Sequence, residues 1–279
     1  MARIAHLSDV HFGAHDPAVV SGVEAWLAAE RPDLVAISGD FTQRATVDQY
    51  REAAAFLDRL EAAGLKTLGV PGNHDVPLYD VVQRFTRPLH RYRRYIDDDL
   101  CPWFESDRLA VLGINTARSL TFKDGRISHE QMEIIRDRFR DVPQDRTKVL
   151  VTHHPLFEMP IGEAGEESEA VGRQNEALDA VADAGVHILL AGHFHRSFTQ
   201  SARRMVKNAG PSLVIQAGTA TSTRLREGEA QSFNLIETHH DTEVNVQVIG
   251  WDGAAFQGGS RARYAFDGAN WEAADPVEA

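Results

Sequence analysis

The sequence contains a single cysteine, Cys101, and no apolar run that is long enough to span a bilayer. One cysteine excludes a disulfide within the chain and is typical of a reducing compartment. The sequence also lacks an early apolar segment that could form the core of a signal peptide, because the first predicted strand begins at Ile4. We therefore expect a cytoplasmic protein that has no membrane as a partner.

Positive charge is also scarce. The chain has 29 Lys and Arg against 41 Asp and Glu, which gives a formal net charge of -12 at pH 7. Proteins that bind long nucleic acids usually need a basic surface, so this balance argues against a nucleic-acid partner. A small anionic substrate remains compatible with it, provided that bound cations add local positive charge.

No Pro/Gly/Ser-rich linker divides the 279 residues, and a hydrophobic content of 43% can fill one large core. We therefore predict one catalytic domain over residues 1–250. Residues 251–279 are rich in Gly, Ala and acidic side chains. They are expected to form a C-terminal extension, as either a loose tail or an addition at a sheet edge.

Strands and helices alternate through the first two thirds of the sequence. Helices are predicted at residues 18–30, 47–63, 128–140 and 173–184, the third of them beginning with a Ser128/Gln131 capping-box pattern. After Gly192, residues 213–216, 232–237 and 244–249 follow without helices between them, which predicts that they form a second sheet. The expected fold is an α/β sandwich of four layers, in which helices flank two mostly mixed β-sheets.

Five short motifs each follow a predicted strand. The strands are predicted at residues 3–7, 34–37, 68–70, 149–151 and 187–191. The motifs are Asp9-Val10-His11, Gly39-Asp40, Gly72-Asn73-His74-Asp75, His153-His154 and Gly192-His193-Phe194-His195. Because ligands of open α/β sheets bind outside the carboxyl ends of the strands, we expect the motifs to meet along one edge of a sheet.

The spacing within two motifs favours a shared target. Residues two apart in an extended segment project to the same side, so Asp9 with His11, and His193 with His195, can each address one point. The glycines at positions 39, 72 and 192 are expected to permit sharp turns or close approach. Oxygen and imidazole donors without thiolates suit Mn, Fe, Co, Ni or Zn.

Each motif taken alone has a structural alternative. The Gly72-Asn73-His74-Asp75 segment could be a simple turn, since Asn and Gly tolerate positive φ. His193 and His195 could be a structural pair whose polar atoms are satisfied by neighbours. The occurrence of five motifs in the same strand-end context favours two adjacent metal ions, with phosphate-ester hydrolysis as the leading hypothesis.

The motif series DxH, GD, GNH[D/E], H and GHxH resembles that of the calcineurin-like metallophosphoesterase superfamily, and all five blocks occur in order between residues 9 and 195. Within it, the GNHD form and the short domain are similar to the bacterial cyclic-nucleotide and glycerophosphodiester phosphodiesterase branch. The resemblance implies a binuclear centre of divalent or trivalent ions, such as Mn, Fe, Zn or Co. The ligands that it implies are Asp9, His11 and His195 for the first metal, Asn73, His153 and His193 for the second, and Asp40 as the bridge.

The resemblance also implies roles around the metals. In the family, the metal ligand is the histidine followed by x-Pro. In His153-His154-Pro155 this is His153, so His154 is expected to line the pocket wall and contact the substrate. Asn73 and His74 are expected to contact the substrate as well. A hydroxide between the metals would attack phosphorus in line. His74 would be the catalytic residue that protonates the leaving alkoxide or stabilises its charge.

We therefore expect a hydrolase that cleaves a small phosphate ester, with a cyclic-nucleotide or glycerophosphodiester phosphodiesterase as the preferred hypothesis. A nuclease or nucleic-acid end-processing enzyme and a phosphomonoesterase remain open alternatives on the same site. A non-catalytic scaffold is disfavoured, because no ligand is missing from the motifs. A homo-oligomer remains compatible with the sequence.

Two further segments have open interpretations. Residues 87–95 are the most basic stretch and precede three aspartates at 97–99. The basic stretch is interpreted as a solvated helix face that pairs with the aspartates, and the alternative is a cap that selects an anionic substrate. Residues 162–172 contain four glutamates and are expected to form a mobile loop beside the site.

Overall fold

Two β-sheets lie face to face, and helices cover the outer surface of each. The computed structural model describes residues 1–120, 124–158, 170–206, 209–226, 228–239 and 242–274. Most of the loop predicted at residues 162–172 falls outside these ranges. The predicted four-layer sandwich of two mixed sheets is confirmed.

The strands are β1 (Ala2–Leu7), β2 (Leu34–Ile37), β3 (Thr67–Gly69), β4 (Trp103–Glu105), β5 (Leu109–Gly113), β6 (Thr147–Val151), β7 (Ile188–Ala191), β8 (Phe198–Ser201), β9 (Leu213–Gln216), β10 (Ser232–His239), β11 (Glu243–Trp251), β12 (Phe256–Phe266) and β13 (Trp271–Ala274). One sheet has the order β13-β12-β11-β10-β1-β2-β3, and the other has the order β4-β5-β6-β7-β9-β8. Strands β1 to β3 are parallel in the first sheet, as are β5, β6, β7 and β9 in the second.

The helices are α1 (Pro17–Glu30), α2 (Val47–Ala62), α3 (Val81–Thr86), α4 (His90–Tyr95), α5 (His129–Arg140), α6 (Gln174–Asp183) and α7 (Ala202–Met205), and a 3₁₀ turn spans Asn73–Asp75. The four predicted helices correspond to α1, α2, α5 and α6, with ends shifted by a residue at most. The predicted capping box is present: Gln131 N–H donates to Ser128 Oγ, and Ser128 N–H donates to Gln131 Oε1. In the described residues, no helix has the length and apolarity to cross a membrane.

Alternation along the strands builds three apolar layers. In β1, Ile4 points between the two sheets, whereas Ala5 and Leu7 pack on the side of the outer helices. In β6, Val149 and Val151 lie between the sheets and Leu150 packs on the opposite side. Because the central strands are buried on both faces, their sequences are mostly apolar rather than alternating.

The prediction that the strands after Gly192 form a second sheet is wrong. Strand β9 pairs with β7, whereas β10 pairs antiparallel with β1, in the register Ile4 to Ile236. Periodicity identifies a strand but not its partner, and here the partner of β10 is more than two hundred residues away. The region beyond Trp251 forms β12 and β13, which extend one edge of the first sheet as far as Ala274.

The basic segment at 87–95 contains the short helix α4. Its Tyr92 is fully buried, and Arg93 Nε lies 3.4 Å from Asp98 Oδ1. Arg91 pairs instead with Asp80, at 3.0 Å. A buried aromatic side and outward charges favour the interpretation as a solvated helix face.

Lys148 on β6 joins the carboxyl ends of two helices. Its Nζ donates to Phe139 O at 2.9 Å and to Ala184 O at 3.0 Å. Replacing Lys148 with methionine leaves both carbonyls without this donor, so we expect the free energy of unfolding to fall by about 1–2 kcal/mol. Urea denaturation measures the change. The exposed Lys66→Met control should stay within about 0.5 kcal/mol of the parent protein, and an equal loss in both variants would contradict the capping role.

Candidate metal centre

The five motifs lie at one end of the sandwich, where strands from both sheets end. Strands β1, β2 and β3 lead to the first three motifs, and β6 and β7 lead to the last two. The expectation of a single sheet edge is therefore wrong. The carboxyl ends of two facing sheets meet here, because the parallel strands of both run toward the same end.

Asp9, His11 and His195 form the first group of potential ligands. Asp9 Oδ1 lies 3.2 Å from His195 Nε2 and 3.6 Å from His11 Nε2, and the two imidazole nitrogens are 3.4 Å apart. Asp9 and His11 are fully buried. His195 Nδ1–H donates to Arg224 O at 3.2 Å, which leaves the lone pair of Nε2 for the group.

Asn73, His153 and His193 form the second group. Asn73 Oδ1 lies 3.0 Å from His153 Nε2 and 3.1 Å from His193 Nδ1, and those nitrogens are 3.3 Å apart. His153 Nδ1–H donates to Ser38 O at 2.7 Å, so in the neutral ring the Nε2 lone pair faces the other two atoms. Lone pairs that converge in this way repel one another unless a cation lies between them.

Asp40 lies between the two groups. Its Oδ2 is 3.7 Å from His11 Nε2 and 3.5 Å from His153 Nε2. Its Oδ1 accepts a hydrogen bond from His74 N at 2.8 Å, which fixes the carboxylate. Two donors that bind one ion at about 2.0–2.2 Å, with angles of about 90–120°, are about 3.0–3.7 Å apart. The observed spacing therefore fits two cations that share Asp40.

Backbone conformation differs from the prediction at these motifs. Asp9 and His11 have φ values of 51° and 48°, and His193 and His195 have 82° and 59°. These residues are left-handed rather than extended, so the argument from alternating side chains was wrong. Asp9 and His11 do address one point, but His193 and His195 belong to different groups. Asp40, at 54°, is left-handed as well. Such strain is maintained by surrounding structure and is concentrated at functional sites.

Two glycines allow close approach between the motifs. A Cβ on Gly72 would lie 2.1 Å from Asp40 Oδ1, and one on Gly192 would lie 1.7 Å from Ser8 Oγ. Gly39 combines a φ of 91° with a similar steric limit against His153. The predicted need for glycine at the three positions is confirmed, and at 72 and 192 the reason is space rather than φ.

Electrostatics keep the carboxylates ionised. Burial alone would raise the pKa of Asp9, but the charge of His195 and hydrogen bonds from His11 and His195 hold it well below its usual range. Burial also opposes ionisation of Asp40, and the nearby His153, His74 and His11 lower its pKa. Burial, assisted by His153, lowers the pKa of His193 to about 3, so this ring is neutral near pH 7 and can donate its lone pair.

His74 lies beside the first group. Its Nδ1–H donates to Gln43 O at 2.9 Å, and its ring meets that of His11 edge-on with centroids 4.9 Å apart. The hydrogen bond to a carbonyl selects the tautomer that carries hydrogen on Nδ1. Nε2 is then the atom that can exchange a proton with a bound molecule.

His154 lies beside the second group. Its Nδ1 is 2.8 Å from Thr116 Oγ1, and its ring centroid is 4.8 Å from that of His193. The imidazole nitrogens of His153, His154 and His193 are close enough to hold a metal together. The contact with Asn73, however, is made by His153.

Asp75 was part of a predicted motif, but no role was predicted for it. Its buried carboxylate accepts hydrogen bonds from Phe41 N, Thr42 N and Gly72 N at 2.9–3.1 Å. It thereby holds the loop after β2 against the turn that carries Asn73. Other supporting groups, such as the Ser38 carbonyl, are backbone atoms and have no sequence signature.

Replacing Asp75 with alanine leaves buried N–H donors of both loops without an acceptor, so we expect the free energy of unfolding to fall by about 3 kcal/mol. Metal affinity should weaken by roughly 10- to 100-fold, as is typical when a supporting hydrogen bond is lost. Denaturation and metal titration measure the two effects. The exposed Asp58→Ala variant on α2 is the control, and unchanged metal affinity in Asp75→Ala would refute the positioning role.

Known proteins that are similar in sequence to this chain include phosphoesterases. The calcineurin-like phosphoesterase family matches residues 2–197. The 3',5'-cyclic adenosine monophosphate phosphodiesterase CpdA of Escherichia coli is 25% identical over 264 residues, covering 88% of each chain. A probable cyclic nucleotide phosphodiesterase of Rhodococcus erythropolis is 26% identical over 88% of this chain and 82% of its own. The probable glycerophosphodiester phosphodiesterase GpdQ of Arcobacter nitrofigilis is 25% identical over 61% of this chain and 59% of its own.

Solved structures share the fold. A purple acid phosphatase from yellow lupin (Lupinus luteus) seeds superposes with a TM-score of 0.71 and 12% identity, over 92% of this chain and 52% of that one. A dimetal phosphatase from Danio rerio gives a TM-score of 0.62 and 12% identity, over 89% and 96%. Since the family matches well over half of the sequence, the chain belongs to the calcineurin-like phosphoesterase family and is a metal-dependent phosphoester hydrolase.

Proposed function

We propose that this protein hydrolyses small phosphodiesters of the cyclic-nucleotide or glycerophosphodiester type at a binuclear metal centre. The observation that carries the proposal is the Asp40 carboxylate between two groups of three ligands, 3.7 Å from His11 Nε2 and 3.5 Å from His153 Nε2. Mn, Fe, Zn and Co are the proposed metals, because the donors are oxygen and imidazole atoms.

The proposed ligands are Asp9, His11 and His195 for one metal, Asn73, His153 and His193 for the other, and Asp40 for both. When bound, two metals would supply positive charge for the phosphoryl oxygens and lower the pKa of a water molecule toward neutrality. The histidine ligands are held in place by hydrogen bonds from the ring nitrogen that faces away from the metals. Examples are the bonds from His153 Nδ1 to Ser38 O and from His195 Nδ1 to Arg224 O. The site is therefore largely preorganised.

His74 is proposed as the general acid. Its Nδ1–H is held by the Gln43 carbonyl, so its Nε2 is available to donate a proton to the leaving oxygen. The backbone N–H of His74 also binds Asp40 Oδ1, which couples its position to that of the proposed bridging ligand. His154 and Asn73 are proposed to form the adjoining wall for the phosphate.

The preference for a small diester is supported by the relatives, whose names specify a cyclic adenosine monophosphate and a glycerophosphodiester as substrates. The net charge of -12 argues against a polyanionic nucleic acid. We also propose that the protein acts in the cytoplasm, as the single cysteine suggests.

The test is a substrate panel on metal-reconstituted protein. It compares a bis-aryl phosphodiester, an aryl phosphomonoester, a cyclic nucleotide, a glycerophosphodiester and single-stranded DNA. We expect higher kcat/KM on diesters than on the monoester, and no DNA cleavage. A dominant monoesterase or nuclease activity would overturn the proposal, and inactivity on every substrate with metals bound would leave only the non-catalytic scaffold.

A further inference from the structure

A cavity of about 430 Å³ opens beside the candidate metal centre. Its lining residues come from three loops and from the first turn of α2, and they are Gly13, Ala14, Gln43, Arg44, Gln49 and Arg224. Two of these residues also touch the centre: the Gln43 carbonyl accepts from His74 Nδ1 at 2.9 Å, and the Arg224 carbonyl accepts from His195 Nδ1 at 3.2 Å. The cavity therefore adjoins the side of the centre on which His74 lies.

The cavity is positively charged in an otherwise acidic protein. Two of its lining residues are arginines and none is an aspartate or glutamate. In the described part of the chain, neither Arg44 nor Arg224 forms an ion pair with a carboxylate. Exposed arginines are common on protein surfaces, but these two line the same cavity next to a proposed proton donor.

Local contacts hold one of the arginines in place. The guanidinium carbon of Arg44 lies 5.6 Å from the centre of the Tyr79 ring, in a cation–π arrangement. The backbone N–H of Arg44 donates to Gln49 Oε1 at 2.8 Å. Gln49 in turn fills the space over Gly13, where a Cβ would lie 2.1 Å from its Nε2. The loop that carries Gly13 and the loop that carries Arg44 thus both pack against Gln49 of α2.

We propose that this cavity receives the leaving group of the substrate, and that Arg44 and Arg224 select a leaving group that carries a second oxyanion, either a phosphate or a carboxylate. The proposal rests on the proposed function, since it assumes cleavage of a phosphodiester at the adjoining centre. Guanidinium groups bind such oxyanions through paired, charge-assisted hydrogen bonds. A volume of about 430 Å³ suits a small molecule.

The position of His74 gives the reason for assigning the leaving group to this side. In the hydrolysis, the oxygen of water bonds to phosphorus, the bond from phosphorus to the leaving oxygen breaks, and that oxygen takes a proton from His74. Of the two protons of the water, one is released to solvent, from which His74 regains its proton, and the other stays on the phosphomonoester product. The leaving oxygen must therefore lie near His74, and the remainder of the leaving group extends toward Gln43 and the arginines.

This selectivity would separate the proposed substrates by the charge of their leaving group. A glycerophosphodiester with a cationic alcohol would be disfavoured by two arginines. The arginines would add little to the binding of a cyclic nucleotide, because the sugar that carries its leaving oxygen has no anionic group other than the reacting phosphate. A diester whose alcohol carries its own phosphate or carboxylate would gain most.

The experiment uses matched methyl aryl phosphodiesters and the Mn-loaded full chain. The anionic leaving groups carry a 4-carboxylate or a 4-phosphonomethyl group, and the neutral one carries the methyl ester of the carboxylate. The quantity compared is the ratio of kcat/KM for each anionic substrate to that for the neutral one. Because each ratio is compared between variants, differences in intrinsic leaving-group reactivity cancel.

We expect the ratio to fall by about 10-fold in Arg44→Ala and in Arg224→Ala, and further in the double variant, since each change removes a charge-assisted hydrogen bond. The control is Arg51→Ala on α2, which removes the same charge from an arginine that pairs with Asp48 and does not line the cavity. Its ratio should match the parent protein. The larger effect on the carboxylate or on the phosphonate substrate identifies the preferred oxyanion.

Binding of the released alcohols gives a readout that is independent of turnover. Calorimetry with 4-hydroxybenzoate and 4-hydroxybenzylphosphonate should show a Kd at least about 10-fold higher in the double variant than in the parent protein. An unchanged ratio in the double variant, or an equal fall in Arg51→Ala, would overturn the inference. Failure of the proposed function is distinguishable, because the parent protein would then not hydrolyse the neutral diester either.

Discussion

Replacing His74 with alanine should lower kcat by roughly 10²- to 10⁴-fold while the metal content stays unchanged. The imidazole lies next to His11, but its Nδ1 is directed to the Gln43 carbonyl, so it is placed to act on a substrate rather than on a metal. Steady-state kinetics and elemental analysis of the same preparation measure the two quantities.

Substrates with different leaving groups test the proton transfer from His74 more specifically. If His74 protonates the leaving oxygen, the loss in His74→Ala should be large for a poorly departing alcohol and small for a nitrophenolate, which needs no proton. The control is His129→Ala on α5, an exposed histidine that should leave both rates unchanged. Equal losses for both leaving groups would point to electrostatic stabilisation alone, and unchanged turnover would remove His74 from the mechanism.

Replacing Asp40 with alanine should have the largest effect on the centre as a whole. Asp40 Oδ2 is the atom placed near ligand atoms of both groups, and its Oδ1 holds the backbone of His74. We expect metal content to fall from two ions per chain to one or fewer. Turnover should fall by roughly 10³-fold or more, because charge stabilisation of several kcal/mol depends on the paired metals.

Elemental analysis after controlled loading and removal of free metal measures the stoichiometry for Asp40→Ala. The exposed Asp48→Ala variant, which removes one carboxylate from α2, is the control and should keep both ions. Circular dichroism establishes that each variant is folded. Two retained ions with near-parental turnover in Asp40→Ala would contradict the bridging role.

The sequence was sufficient to locate the centre because each motif follows an apolar run. The run before Asp9 and the run before His153 are buried on both faces, and such strands are recognisable without knowledge of their partners. Helix ends were equally accessible, since the capping pattern at Ser128 depends on residues three apart.

The features that the sequence could not supply are non-local or belong to the backbone. The pairing of β10 with β1 depends on which sheet edge is free, and alternation carries no information about that. Asp and His adopt positive φ more often than most residue types, but the identity of Asp9 and His11 does not by itself predict their left-handed conformation. The carbonyls of Ser38, Gln43 and Arg224, which orient three histidines, are backbone atoms of residues whose side chains have unrelated chemistry.

The measurement that tests the central claim most directly is anomalous diffraction from crystals of the Mn-loaded protein. The account predicts two peaks about 3.5–4 Å apart, with Asp40 between them and three further ligands around each. A single peak, or two peaks elsewhere in the molecule, would contradict the claim that these seven side chains hold a pair of metal ions.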